Sequence, residues 1–113
     1  MNVQIFGTKK SFDSKKAERY FKERGIKYQF EDMKEKGLSK GEFHSVCQAV
    51  GGYEKLIDPK CKDKNLLALV QYLSEEDKKE KILENQKIIR TPIVRNGKQA
   101  TVGYEPDVWK DWK

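Results

Sequence analysis

The first thirty residues most constrain the fold. Val3-Gln4-Ile5-Phe6 is a β-branched and aromatic run ended by Gly7, which reads as a strand. Ala17, Tyr20, Phe21 and Arg24 then stand at i, i+3, i+4 and i+7, one stripe of a helix with Gly25 as its stop. Ile26-Lys27-Tyr28-Gln29-Phe30 alternates apolar and polar residues, the mark of a half-buried strand. A strand, a helix and a strand packed this closely form a right-handed βαβ unit, with two parallel strands and the helix on one face.

The other end of the sequence closes differently. Pro92-Ile93-Val94-Arg95, then Asn96-Gly97, then Gln99-Ala100-Thr101-Val102 predicts a hairpin, because Asn-Gly supplies the positive φ angles of a two-residue type I′ turn. Pro106 follows Glu105 at the first turn of a terminal helix, whose buried face is expected to be Val108, Trp109 and Trp112. Between the two ends the pattern is helical throughout. Ser39 with Glu42 makes a capping box ahead of Phe43, Val46, Cys47 and Val50, and Gly51-Gly52 stops that helix. Leu66, Leu69, Val70 and Leu73 repeat the spacing, and Ser74 with Asp77 starts a charged helix through about Leu83.

The order β-α-β, helices, β-β-α is the thioredoxin-like plan. The fold class expected is α/β, a mixed four-stranded sheet with a helical insertion at about 34–88 between the βαβ and ββα halves, all in one domain over 1–113. No apolar run approaches the length of a membrane span, and the first residues lack the regions of a signal peptide. Two cysteines, Cys47 and Cys61, are too few for a disulfide scaffold, so a cytoplasmic, reduced protein is expected.

Of 113 residues 24 are basic and 18 acidic, for a net charge of +6, but only four of the basic residues are Arg. Lys is mixed with acidic residues along the chain, as in Asp77-Lys78-Lys79-Glu80-Lys81, which makes solvated helix faces. A nucleic-acid groove would concentrate Arg and interleave aromatics for stacking, and neither pattern occurs, so direct nucleic-acid binding is not expected.

In such a sheet ligands bind where the first strand feeds the first helix, here Thr8-Lys9-Lys10-Ser11-Phe12-Asp13-Ser14. Backbone N–H groups at the helix start favour anions and thiolates, and Lys10 and Phe12 are candidate substrate contacts in this loop. A thiol there would be a good nucleophile. The sequence instead has Ser11-x-x-Ser14, and Ser11 or Asp13 serves equally well as a helix cap. The sole histidine, His44, lies on another helix, and no strong base for a serine is evident.

Arg90-Thr91-Pro92 is the second candidate. A Pro opening a strand that pairs on one side fits an edge, and a cis Thr91–Pro92 bond would turn the backbone toward the first loop. Arg90 then offers a fork of donors to a tetrahedral oxyanion; a surface salt bridge is its plainer role. Cys47 shares an apolar helix face and reads as a buried, inert thiol. Cys61, between Lys60 and Lys62, has the charges that would stabilise a thiolate. No Cys or His pair has metal-ligand spacing, so no metal site is expected.

These segments resemble the arsenate reductase (ArsC)/Spx family of thioredoxin-fold proteins. Ile5-Phe6-Gly7-Thr8-Lys9-Lys10-Ser11-Phe12-Asp13-Ser14-Lys15-Lys16-Ala17 is similar to the family's opening strand, active-site loop and Lys-Lys-Ala helix. Leu56-Ile57-Asp58 with the Lys-rich stretch after it resembles its middle segment, and Arg90-Thr91-Pro92-Ile93-Val94 with Val102-Gly103-Tyr104 its closing hairpin. The resemblance implies a nucleophilic Cys at position 11, a small oxyanion or thiol substrate, and glutathione or glutaredoxin as reductant, with no bound cofactor. In Spx-type members a second Cys falls at position 14.

Both positions are Ser here, Ser11 and Ser14. Arg90 matches the arginine that holds the oxyanion; the further arginine of the reductases has no counterpart around Gly103-Tyr104. The expectation is a thiol-oxidoreductase family member that is inactive as written, by natural loss or by Cys→Ser replacement. The alternative is an Spx-like, non-catalytic module that binds RNA polymerase or another protein partner.

Overall fold

The computed structural model describes residues 1–112. Strand β1 (Val3–Gly7) leads through helix α1 (Phe12–Glu23) to strand β2 (Tyr28–Asp32). The two strands pair in parallel from Val3 opposite Tyr28 to Gly7 opposite Asp32. β2 starts two residues later than the alternation from Ile26 predicts. The reason is local: Gly25 turns back at φ 66°, and the Ile26 amide donates to the Phe21 carbonyl at 2.9 Å, so Ile26 still closes the helix end.

Helix α2 (Lys40–Val50) carries the expected capping box. The Glu42 amide donates to Ser39 Oγ at 3.2 Å, and the Ser39 amide donates to Glu42 Oε1 at 2.9 Å. Helices α3 (Lys64–Gln71) and α4 (Glu75–Glu84) start at Asp63 and Ser74, whose side chains accept from the Leu66 and Asp77 amides. Two short 3-10 turns, Tyr53–Leu56 and Gln86–Ile88, were not expected from the sequence, since neither carries a helical repeat long enough to see.

The chain closes with the hairpin β3 (Ile93–Asn96) and β4 (Gln99–Val102), with Gly97 at φ 61° in the turn, and then the single-turn helix α5 (Pro106–Trp109). The sheet order is β2-β1-β3-β4, with β1 antiparallel to β3 and β3 antiparallel to β4. The mixed four-stranded sheet is therefore as expected. The edge position expected for the strand after Pro92 is not: β3 pairs on both sides. Pro92 is tolerated because the ladder with β1 begins one residue later, at Ile93 opposite Phe6.

Alternation along the strands divides the core into two layers. On one face Val3, Ile5 and Val94 lie beneath Phe21 of α1 and Trp109, with Trp112 beyond. The Trp109 ring stands 5.1 Å from both Tyr20 and Phe21, and its Nε1–H donates to Thr101 Oγ1 at 2.8 Å. Trp109 and Trp112 are buried as expected, but Val108 is 43% exposed because one helical turn can aim only part of its residues inward. On the opposite face Phe6 and Ile93 pack against Phe43, Val46, Leu56 and Ile82. Leu66 and Val70 of α3 join them; Leu69, expected on the same stripe, is 46% exposed. Gln86 ties this layer together, its Oε1 accepting from the Leu38 amide at 2.7 Å and its Nε2 donating to the Leu38 carbonyl at 2.8 Å.

Candidate functional site

The carboxyl end of β1 leads into a tight turn in which the Ser11 amide donates to the Thr8 carbonyl at 3.2 Å. Ser11 is the N-cap of α1. Its Oγ accepts from the Ser14 amide at 3.2 Å, which satisfies one of the donors that a helix start leaves unpaired. Asp13 stands in the first turn, not at the cap. The side chain that caps is thus also the one at the mouth of the loop.

Ser14 is fully buried, and its Oγ accepts from the Thr8 amide at 3.3 Å. Gly7 allows this approach: a Cβ on Gly7 would overlap the Ser14 hydroxyl. The two serines three residues apart therefore do different things. Ser11 opens outward and Ser14 fastens the loop from inside.

A cleft of about 450 Å³ is lined by Ser11, Asp13, Asp58, Lys60, Arg90 and Thr91, together with Ile57 and Pro59. Three segments far apart in sequence meet here. The loop after the 3-10 turn Tyr53–Leu56 is held by paired backbone bonds: the Asp58 amide donates to the Ile88 carbonyl at 2.8 Å, and the Arg90 amide to the Leu56 carbonyl at 2.7 Å. Asp58 also accepts from the Lys60 amide at 2.9 Å through Oδ1. The Thr91–Pro92 peptide is cis, and the Gly103 amide donates to the Pro92 carbonyl at 2.8 Å.

The Arg90 guanidinium lies over Gly103, where a Cβ would approach its Nη2 to 3.1 Å; the missing side chain makes room for the fork. Arg90 and Lys60 are both exposed, and with the α1 N-terminus they bring positive charge to the cleft. Asp13 and Asp58 give the wall two carboxylates.

Of the residues singled out in the sequence, Ser11, Arg90 and Thr91 meet in this cleft. Lys10 is exposed, Phe12 is 79% exposed, and Pro92 is buried beneath the wall; none of the three lines the cleft, nor does Ser14. Asp58 and Lys60 also line the cleft, and the sequence singles out neither as a candidate site residue, although both fall in the segment that resembles the family's middle one. The signal for them is tertiary, a pair of backbone bonds that brings residues 56–60 beside residues 88–91.

Cys47 is buried on α2, and burial pushes its thiol above the ordinary range; Lys79 nearby opposes the shift and Glu54 adds to it. Cys61 is half-buried, with Sγ 3.8 Å from the Lys87 carbonyl oxygen. Neither sulfur lines the Ser11 cleft. Among the described residues no group of three or more His, Cys, Asp or Glu could hold a metal ion, and no helix is long and apolar enough to cross a membrane.

The model of the ArsC family matches residues 6–112. Among solved structures, an ArsC-related protein from Bacteroides fragilis is similar at 19% identity and TM-score 0.86, covering 100% of this chain and 98% of that one. An arsenate reductase from Vibrio cholerae is similar at 25% identity and TM-score 0.82, over 96% and 94% of the two chains. An arsenate reductase (ArsC) related protein from Brucella melitensis is similar at 22% identity and TM-score 0.66, over 99% and 94%. No curated protein matches the chain. The sheet order, the cis Thr91–Pro92 bond and the Ser11 loop thus sit in a thioredoxin-like fold.

Proposed function

The chain belongs to the ArsC family, and from that premise we propose that the cleft between Ser11 and Arg90 is an oxyanion site of a thiol-oxidoreductase scaffold whose nucleophile is replaced. One observation carries the proposal. Ser11 caps α1 at the mouth of the same cleft that Arg90 and Thr91 line. A tetrahedral anion seated there meets the planar fork of Arg90 on one side and the helix N-terminus on the other, and Lys60 adds charge at the rim.

A thiol at position 11 would have its thiolate stabilised by the helix start and attack the As(V) of arsenate, an oxygen leaving as water. A glutathione thiolate would then attack that sulfur, the S–As bond pair staying on arsenic as As(III), and a further thiol, of glutaredoxin or glutathione, would reduce the mixed disulfide. Serine performs none of these steps. Its hydroxyl does not ionise near neutral pH without a strong base, and His44 lies on α2, outside the cleft. An alkoxide also has no disulfide to form. The chain as it stands binds its oxyanion and does not reduce it.

The test is NADPH-coupled arsenate reduction, with glutathione and glutaredoxin, on this chain, on Ser11→Cys and on Ser11→Ala. Turnover is expected only for Ser11→Cys, and Arg90→Gln in that background should remove most of it. Turnover by the unaltered chain that persists in Ser11→Ala overturns the role given to position 11. Silence of all three removes arsenate as the substrate. Capture of RNA polymerase at low salt would then favour a non-catalytic module.

A further inference from the structure

The two edges of the sheet are not alike. β2 ends in Glu31 and Asp32, charges that discourage another strand from adding there. β4 reads Gln-Ala-Thr-Val and carries no charge. Its partner on one side is β3, and among the described residues the sheet order leaves its other side without a strand.

The ladder phase shows which backbone groups are turned outward. The Gly103 amide bonds to the Pro92 carbonyl, and the register sets Val102 opposite Ile93, Thr101 opposite Val94, and Ala100 opposite Arg95. Narrow, hydrogen-bonded pairs alternate with wide ones, so Thr101 faces β3 while Ala100 and Val102 point N–H and C=O away from it. These two residues border an open groove of about 570 Å³. Val50 and Lys55 form one wall, at the end of α2 and the turn after it; Glu105 and Val108 form the other. Arg90 closes the groove and also lines the Ser11 cleft.

We propose that β4 is a docking edge for an extended, acidic segment of a partner protein, which adds as a fifth strand in the groove between Val50 and Val108. Main-chain bonds to Ala100 and Val102 hold the segment, and alternate side chains rest on the two valines. Lys55 and Arg90 outnumber Glu105 on the rim, which selects carboxylates. The same charge disfavours a second copy as occupant, since the chain carries +6. The proposal is independent of the chemistry at position 11 and extends past it: a segment docked on β4 passes Arg90 and so reaches the edge of the cleft.

The experiment is an amide NMR titration of the full chain with acetyl-Val-Glu-Val-Asp-Val-amide. Its controls are the Gln/Asn analogue and a version N-methylated on the edge that would face β4. Shifts are expected at the Ala100 and Val102 amides, with slowed hydrogen exchange at both. The neutral analogue and the Lys55→Glu variant should each weaken binding by about two- to five-fold. The methylated peptide should lose about ten-fold or more, as should Ala100→Pro, which removes an outward donor that a β-edge tolerates losing. The methylated peptide keeps the test valid if Ala100→Pro fails to fold. Shifts confined to α1, or none at all, overturn the proposal. So does protection of both amides in the free chain at micromolar concentration, which would mean that the edge is already covered.

Discussion

The two faces of the sheet are built in opposite ways. One is closed by long aromatic side chains from α1 and α5, with Trp109 in contact with Tyr20, Phe21 and Tyr104 at 5.1–5.5 Å between ring centres. The other is closed by mostly aliphatic residues spread over several elements: Phe43 and Val46 from α2, Leu56 from a 3-10 turn, Leu66 from α3, Ile82 from α4. The first face depends on few large contacts, the second on many small ones. The cleft sits where they meet, with Ser11 supplied by the first and residues 57–60 by the second. A site formed this way needs both layers in place, even though its ligand touches only their rims.

The largest test of the contrast is Trp109→Ala. It deletes a 2% exposed ring and leaves Thr101 Oγ1 without its donor, so a loss of about 4–5 kcal/mol is expected by urea unfolding. Ile82→Ala, on the opposite face, should cost about 3 kcal/mol because neighbouring aliphatic chains can shift into the gap. Equal losses would break the distinction between concentrated and distributed packing. Next comes Gln86→Ala, which leaves the Leu38 amide and carbonyl without the side chain that spans them; about 2 kcal/mol is expected, with faster exchange at the Leu38 amide. An undisturbed Leu38 would show that the many-element face does not need its polar clip. Smaller again is Ser11→Ala, at about 1 kcal/mol for a lost cap, where Ser11→Gly should cost only a few tenths.

The same contrast governs how much was legible in the sequence. Elements whose signals are local read correctly: the Ser39–Glu42 box, the Ser74 cap, the Asn96-Gly97 turn and Pro106 at a helix start. These carry a residue type tied to one backbone geometry. The misplacements share a different cause. Pro92 looked like an edge residue because the sequence does not say which strand lies on its far side. Val108 and Leu69 fell on apolar stripes, but a four-residue helix and an outer helix bury less than their patterns offer. At the site, Ser11, Arg90 and Thr91 were legible from the strand-to-helix loop and the hairpin start. Asp58 and Lys60 were not, because only the paired bonds between residues 56–58 and 88–90 bring them there.

The smallest effect lies at the surface of the many-element face, where Asp63 begins α3. Its carboxyl is held below the ordinary carboxylate range, first by the Leu66 amide it caps at 3.0 Å and then by Lys87, whose Nζ lies 2.9 Å from Oδ2. Lys87 is shifted upward by the same partner. A carboxyl with a lowered folded-state pKa stabilises the fold above its unfolded value, about 3.9, and loses that contribution as pH falls through the folded value. Lys87 stays charged throughout that window and adds no titration of its own. Asp63→Asn keeps the cap and removes the charge. The Tm gap between the two proteins should therefore be small near neutral pH, narrow as pH drops below about 4, and close in stronger acid. Salt should shrink it as well, since the Lys87 side chain is 63% exposed and the pair is screened. A gap that stays constant with pH would mean that the cap alone, without its charge, holds the start of α3.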